Sequence, residues 1–380
     1  MWRLNVFVAV VAALISCEGF SVSRNRVAKN NPVLNRGRQE GSTPSTVLRA
    51  TVSPLFVANA ATVNGAAKWT VDSQEKQQLG KVQAALTKFG TMFFIASMCI
   101  ALPATLVPQR LMLKLGIWDR VTLERRAVWT TQFCARWLLR LIPFCSISCT
   151  AVPNLQQEPS VWVCNHISML DLFVLLGRDH VMRGRKRRPI KIVYWKQLED
   201  NPVTKLMFRQ SGFISVDMAP NAAGEKNEYD RSTFRKLLKD TKQAFKEGFD
   251  IGILPEGQLN PTPEKGLLEA FPGAYTLAKL AKRPIYMMAL YGTHHLWAVG
   301  ERGMEPIGRN VGVRVYPKGR VYKSAQDFVK TFTHVVGQFG KTGTDVPDLD
   351  DWLDGTAAPL QPSKEPPVKK DKVAETATVS

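Results

Sequence analysis

Ser160 to Leu176 runs SVWVCNHISMLDLFVLL. Val161 to Cys164 is a short apolar run of the kind that forms a fully buried strand, and Leu170 to Leu176 has helical character. Between them stand Asn165, His166 and Ser168, with Asp171 five positions after the histidine. On one continuous helix the His166 and Asp171 side chains would point about 140° apart. They meet only if the chain turns between a strand ending at Cys164 and a helix starting near Met169. Asp171 would then accept the imidazole N–H, fix its tautomer and stabilise its charged form. Read without function, the same residues are a helix-capping Asn or Ser beside a structural His. Spacing alone leaves both readings open.

Downstream, β-like runs alternate with helical ones. Ile190–Trp195, Phe213–Val216, Ile251–Leu254, Ile285–Leu290 and Val311–Tyr316 are strand candidates. Thr204–Arg209, Glu228–Gly248, Ala274–Lys282 and Gln326–Phe339 are helical ones. This alternation predicts an α/β fold, a central mixed sheet flanked by helices. Leu254-Pro255-Glu256-Gly257-Gln258 ends one of the strand candidates. A carboxylate there sits where ligands bind in open α/β sheets, and Gly257 lets backbone approach a ligand. The plain alternative is a turn, for which Pro-Glu-Gly is suitable chemistry.

Taken in order, these blocks resemble the glycerol-phosphate and lysophosphatidic acid acyltransferase family over roughly residues 120–335. Asn165 to Asp171 is similar to its His-x4-Asp block, and Gly212-Phe213-Ile214-Ser215-Val216-Asp217 to its second block. Leu254-Pro255-Glu256-Gly257 is similar to the third, and Phe271-Pro272-Gly273-Ala274-Tyr275 to the helix entry that follows. Arg283-Pro284-Ile285 leads the fourth, Tyr291-Gly292-Thr293 fits the turn after it, and Lys196 falls where the family often has Lys.

The resemblance implies an acyltransferase in phospholipid biosynthesis, forming phosphatidic acid from 1-acylglycerol-3-phosphate. His166 would deprotonate the acceptor hydroxyl as it attacks an acyl thioester, with Asp171 orienting the ring. Glu256 and Gly257 would position the glycerol backbone, with Asn165, Lys196 and Gly212 as further substrate contacts. Backbone N–H groups at one of the turns would hold the oxyanion. The family implies no metal and no cofactor; acyl-CoA or acyl carrier protein is the co-substrate. Expected partners are membrane lipids, a lysophospholipid acceptor and the acyl thioester donor.

The sequence departs from the family's pattern in two places. Met218 stands where the family has a phosphate-binding Arg, and Gln258-Leu259-Asn260 replaces Thr-Arg-Ser. Two alternatives follow: acylation of another lysophospholipid, or a catalytically silent lipid-binding membrane protein of the same fold. Lys196, Arg209 or the run Arg183-Gly184-Arg185-Lys186-Arg187-Arg188 remain to meet a phosphate. The run also reads as a solvated loop against anionic lipid. His294 and His295 read as structural. No Gly-x-Ser-x-Gly elbow is present, which argues against a serine hydrolase.

Charge and hydropathy point towards membrane. The formal net charge is +19, with 51 Lys and Arg against 32 Asp and Glu. Such a balance suits nucleic acid, an anionic membrane face or phosphate-bearing substrates. No nucleic-acid-reading motif accompanies it, so no nucleic-acid partner is expected. Phe89 to Gln109 carries no charge and is long enough to cross a bilayer, though Pro103 and Pro108 predict a kink or a dip back. Phe133 to Val152 reads as an amphipathic block at headgroup level or packed on the catalytic domain, with Arg136 and Arg140 snorkelling in the first case. The 6 cysteines show neither C-x-x-C spacing nor a zinc pattern.

The expected organisation is a signal peptide over 1–19, a transit-like segment over 20–67 and membrane-associated helices over 72–152, the first of them a polar helix from Asp72 to Lys88. The acyltransferase domain would span 153–339 and a disordered tail 340–380. The two-part leader predicts a plastid membrane, with the ER membrane as the alternative.

Overall fold

Seven strands join into one sheet: β1 (Cys145–Cys149), β2 (Val161–Val163), β3 (Ile190–Trp195), β4 (Ile214–Val216), β5 (Asp250–Ile253), β6 (Ile285–Tyr291) and β7 (Arg309–Val315). Their order is β1-β7-β6-β2-β5-β3-β4, parallel except for the antiparallel β6–β7 pair. The computed structural model describes residues 71, 80–142, 145–152, 158–217, 231–301, 304–305 and 309–357. The leader expected over 1–67, Asp72, Met218 and residues 358–380 fall outside the described residues.

Alternating side chains divide the core. Trp162 and Cys164 face one side of the sheet and Val161 and Val163 the other, all fully or almost fully buried. Both faces can be apolar because helices cover both. One side carries α1 (Lys81–Lys114), α2 (Arg120–Arg140), α3 (Asp171–Met182) and α4 (Pro202–Gln210). The other carries α5 (Arg231–Lys246), α6 (Gly273–Ala281), α8 (Ala325–Thr342) and α9 (Leu349–Asp354). A single turn, α7 (Thr293–Leu296), follows β6.

Several expectations are corrected here. Residues 145–149 form a strand, not the end of an amphipathic block. α2 stops at Arg140, before Pro143, and the alternating CSISC segment then pairs in parallel with β7. The tail does not begin at Gly340. α8 runs on to Thr342, Asp345 makes a buried ion pair with Arg314, and Val346, Leu349, Trp352 and Leu353 pack in the core. The basic run is not a solvated loop. Arg183 and Arg187 are buried, and the Arg183 guanidinium bridges Asp179 and Asp250. Arg185 and Lys186 alone of that run's charges are exposed.

α1 continues unbroken through Pro103 and Pro108. Its segment Lys88–Lys114 is long and apolar enough to cross a membrane. Phe94, Leu102 and Leu106 on one side of it are buried against the domain. Phe89, Phe93, Ile100, Val107 and Leu111, at spacings of four and seven, are exposed on the other.

Candidate active site

Three neighbouring strands deliver the site. β2 lies between β6 and β5, parallel to both, so the carboxyl ends of all three emerge together. After β2 the chain leaves helical and strand geometry over Cys164 to Ser168, turns at Met169 and Leu170, and enters α3 at Asp171. That turn brings His166 Nδ1 to 3.0 Å from Asp171 Oδ2. The same carboxylate oxygen accepts the backbone N–H groups of Ile167 at 2.6 Å and Ser168 at 2.8 Å. Its partner Oδ1 accepts the Thr293 hydroxyl at 2.7 Å. Asp171 is fully buried, whereas the His166 side chain keeps 23% of its surface exposed. An oxygen that already accepts two N–H groups presents an acceptor to the ring. The proton therefore sits on Nδ1, and Nε2 keeps its lone pair for a substrate.

The loop after β5 clamps the histidine's backbone. Glu256 Oε1 accepts the His166 N–H at 2.8 Å, and Asn260 donates its own N–H to the His166 carbonyl at 2.8 Å. Glu256 Oε2 accepts from Leu268 N–H at 2.9 Å and from the Asn260 side chain at 3.3 Å. Burial pushes the Glu256 carboxyl above its usual range, opposed by the His166 and Leu268 backbone donors. Gly257 turns the chain at φ 68, where a side chain would be strained.

The other expected substrate contacts have different surroundings. Asn165 is fully buried and holds β6: its amide donates to the Leu290 carbonyl at 2.9 Å and accepts the Leu290 N–H at 2.7 Å. Gly212 takes φ 64, which favours glycine, and lies against Glu124, whose carboxylate carbon would sit 2.4 Å from an added Cβ. Lys196 is exposed, on the 3-10 turn after β3, and pairs with Asp217 at 2.6 Å. None of the three makes a described hydrogen bond to His166 or Asp171.

Sequence reading missed Thr293 as a partner of Asp171. Gly292 takes φ 84 at the end of β6, and an added Cβ would meet the Asn310 carbonyl at 2.5 Å. The turn it allows delivers the Thr293 hydroxyl to the carboxylate 122 residues earlier. The Tyr-Gly-Thr block was the local signal, but nothing local names its target. Cys164, beside the site, is fully buried, and burial pushes its thiol well up, with the Asp171 and Glu256 charges adding to the effect. That is the wrong direction for a thiolate nucleophile. A narrow apolar cavity of about 30 Å³ lies between the sheet and α3, lined by Trp162, Cys164, Leu175, Ile192, Leu254 and Met288.

Comparison with known proteins finds likenesses in sequence and in fold. Residues 146–291 match the Acyltransferase family model. A 1-acyl-sn-glycerol-3-phosphate acyltransferase of Saccharomyces cerevisiae is 26% identical over 174 residues, 46% of this chain and 52% of its own length. The chain thus spans about half the length of that curated relative. The crystal structure of the 1-acyl-sn-glycerophosphate acyltransferase from Thermotoga maritima is similar in fold, with a TM-score of 0.51 at 14% identity. The match covers 73% of this chain and 100% of that one. Residues 146–291 are thus similar in sequence to the Acyltransferase family, and the fold is similar to that of a 1-acyl-sn-glycerophosphate acyltransferase.

Proposed function

We propose that this protein transfers a fatty acyl group from a thioester, acyl-CoA or acyl carrier protein, to the free hydroxyl of a lysophospholipid. With 1-acylglycerol-3-phosphate, the simplest such acceptor, the product is phosphatidic acid. The supporting observation is the His166–Asp171 pair, 3.0 Å apart at the carboxyl end of β2, with the Asp171 carboxylate held by three further donors. His166 Nε2 takes the acceptor's proton as its oxygen attacks the thioester carbonyl. Asp171 stabilises the imidazolium that forms. Collapse of the tetrahedral intermediate breaks the carbon–sulfur bond, and the imidazolium returns the proton to the departing thiolate. Glu256 acts by holding the His166 backbone in place.

Membrane association is supported by the two apolar faces of α1. One packs on the domain and the other, with Phe89, Phe93, Ile100, Val107 and Leu111, is exposed. A helix apolar all round belongs where both sides are dry. The plastid address of residues 1–67 is part of the proposal, checked by imaging a fluorescent fusion of that segment in plastid-bearing cells.

Purified full-length protein is incubated with each donor and 1-acylglycerol-3-phosphate or a larger lysophospholipid, with products read by mass spectrometry. Transfer is expected, and His166→Ala is expected to lose at least about 10²-fold in kcat, the scale of general-base catalysis. Undiminished transfer by His166→Ala would overturn the proposal. No transfer by the wild type to any lysophospholipid would leave the silent lipid-binding reading, which Leu259 in place of the family's Arg favours.

A further inference from the structure

A second cavity, of about 160 Å³, opens beside the His166 loop, walled by Ile167, Asn260, Glu264, His294, His295 and Glu305. The elements that hold the dyad also build this cavity. Ile167 donates its N–H to Asp171, Asn260 donates its N–H to the His166 carbonyl, and His294 and His295 directly follow Thr293. The cavity therefore adjoins the residues that hold His166 and Asp171 in place.

The charge of this cavity runs against that of the chain. In a protein of formal net charge +19, its acidic walls are Glu264 and Glu305, and among the described residues no Lys or Arg lines it. The two imidazole rings lie 3.9 Å apart, tilted by 41°, and His294 Nε2 faces Glu264 Oε1 at 3.7 Å. Pro261, Pro263 and Ala298 supply apolar wall between the polar groups. Among the described residues no set of His, Cys, Asp and Glu has the geometry of a metal site. The loop that enters the cavity, Gln258-Leu259-Asn260, brings no cation to it. Carboxylates with apolar patches between them suit an organic ammonium, which is attracted by negative charge and tolerates apolar wall around its carbons. About five water volumes fit the space, the size of a small amine group and not of a second acyl chain.

We infer that this cavity receives the cationic amine headgroup of the acceptor, so that the protein selects lysophospholipids bearing a primary or quaternary ammonium beyond the phosphate. This narrows the acceptor of the acyl-transfer reading and rests on it. Glu264 and Glu305 are the specificity-determining groups, and the phosphate remains outside the cavity, between ammonium and glycerol.

The experiment compares kcat/KM for lysophosphatidylethanolamine, lysophosphatidylcholine and 1-acylglycerol-3-phosphate in the wild type and in the Glu264→Gln/Glu305→Gln double variant. The readout is the ratio of amine-bearing to amine-free acceptor, which general damage to the fold does not move. The wild type is expected to favour an amine-bearing acceptor, and the double variant to lower the ratio at least about tenfold, the scale of one lost charged contact. An unchanged ratio overturns the inference, as does a wild type that favours 1-acylglycerol-3-phosphate. In parallel, binding of 2-deoxy analogues of lysophosphatidylethanolamine and 1-acylglycerol-3-phosphate, which cannot be acylated, is measured in both proteins. If no acceptor is turned over, the acyl-transfer reading fails. The cavity's preference then stands or falls on whether the double variant lowers the binding ratio of the two analogues.

Discussion

Thr293 belongs to neither loop of the His166–Glu256 clamp, yet its hydroxyl is the sole described donor to Asp171 Oδ1, at 2.7 Å. Both residues are fully buried, so water cannot replace that hydrogen bond. Thr293→Val keeps the shape and removes the donor, leaving one oxygen of a buried carboxylate unpaired. The expected cost is about 1–3 kcal/mol of stability, together with a lower kcat, because the carboxylate can then swing off the imidazole. Thr293→Ser should restore both. Thermal unfolding and steady-state rates check this, and a valine variant with native stability and kcat would remove Thr293 from the site. The comparison separates the hydroxyl from the side chain's bulk, since valine keeps the bulk and serine the hydroxyl.

Two helices carry predictions of their own. α1 exposes Phe89, Met92 and Phe93 at 67%, 71% and 49% of their surface, so replacing them touches little of the domain's packing. Changing all three to Ser is expected to weaken binding to lipid vesicles at least about tenfold, since burying even one large apolar side chain is worth about 1.5–3 kcal/mol. Vesicle co-flotation measures it; equal flotation of wild type and triple variant would show that this face does not meet lipid. α3 begins at Asp171 and carries His180 in its last turn. Burial, and then Arg136, Arg187 and Arg178, lower the His180 pKa from 6.5 to about 4. The unfolded chain therefore binds a proton that the folded one refuses between those values. Stability from this group is complete above pH 6.5 and is lost as pH falls towards about 4. His180→Gln should flatten that part of the profile. Unfolding midpoints at pH 7 and pH 5 in both proteins decide the matter, a parallel fall in both counting against it.

Across the whole molecule, the β2–β5 pair is secured at both ends. At the carboxyl end are the His166, Glu256 and Asn260 hydrogen bonds. At the amino end, Asp250 accepts the Ser160 N–H at 2.8 Å and pairs with Arg183 and Arg188, while Arg183 and Arg187 also pair with Asp179 of α3. Burial raises the Asp250 carboxyl, and the two arginines beside it act in the opposite direction. Arg183→Met leaves two buried carboxylates under-compensated and is expected to cost about 3–5 kcal/mol, while Arg185→Ala, on the exposed side of the same run, changes stability little. Denaturant unfolding of the two variants tests the contrast, and equal midpoints would refute it.

The sequence by itself determined the parts that depend on neighbours along the chain. The apolar run to Cys164, the polar turn and the apolar helix fixed a strand–turn–helix, and the His166–Asp171 spacing required the turn that the structure contains. Most strand and helix positions of the sheet were legible for the same reason, since periodicity is a local property. Tertiary structure alone decided what depends on distant partners. The CSISC strand is too short and polar to announce itself and exists because β7 offers an edge. The short acidic segment 349–354 is helical because Leu349, Trp352 and Leu353 find a core to enter. Arg183 is buried because Asp250 waits 67 residues away. Asn165 and Glu256, expected from the sequence as ligand contacts, bind backbone of β6 and of the His166 loop, partners that no local pattern names. A buried polar group must find a hydrogen-bond partner, and only the folded chain says which one is within reach.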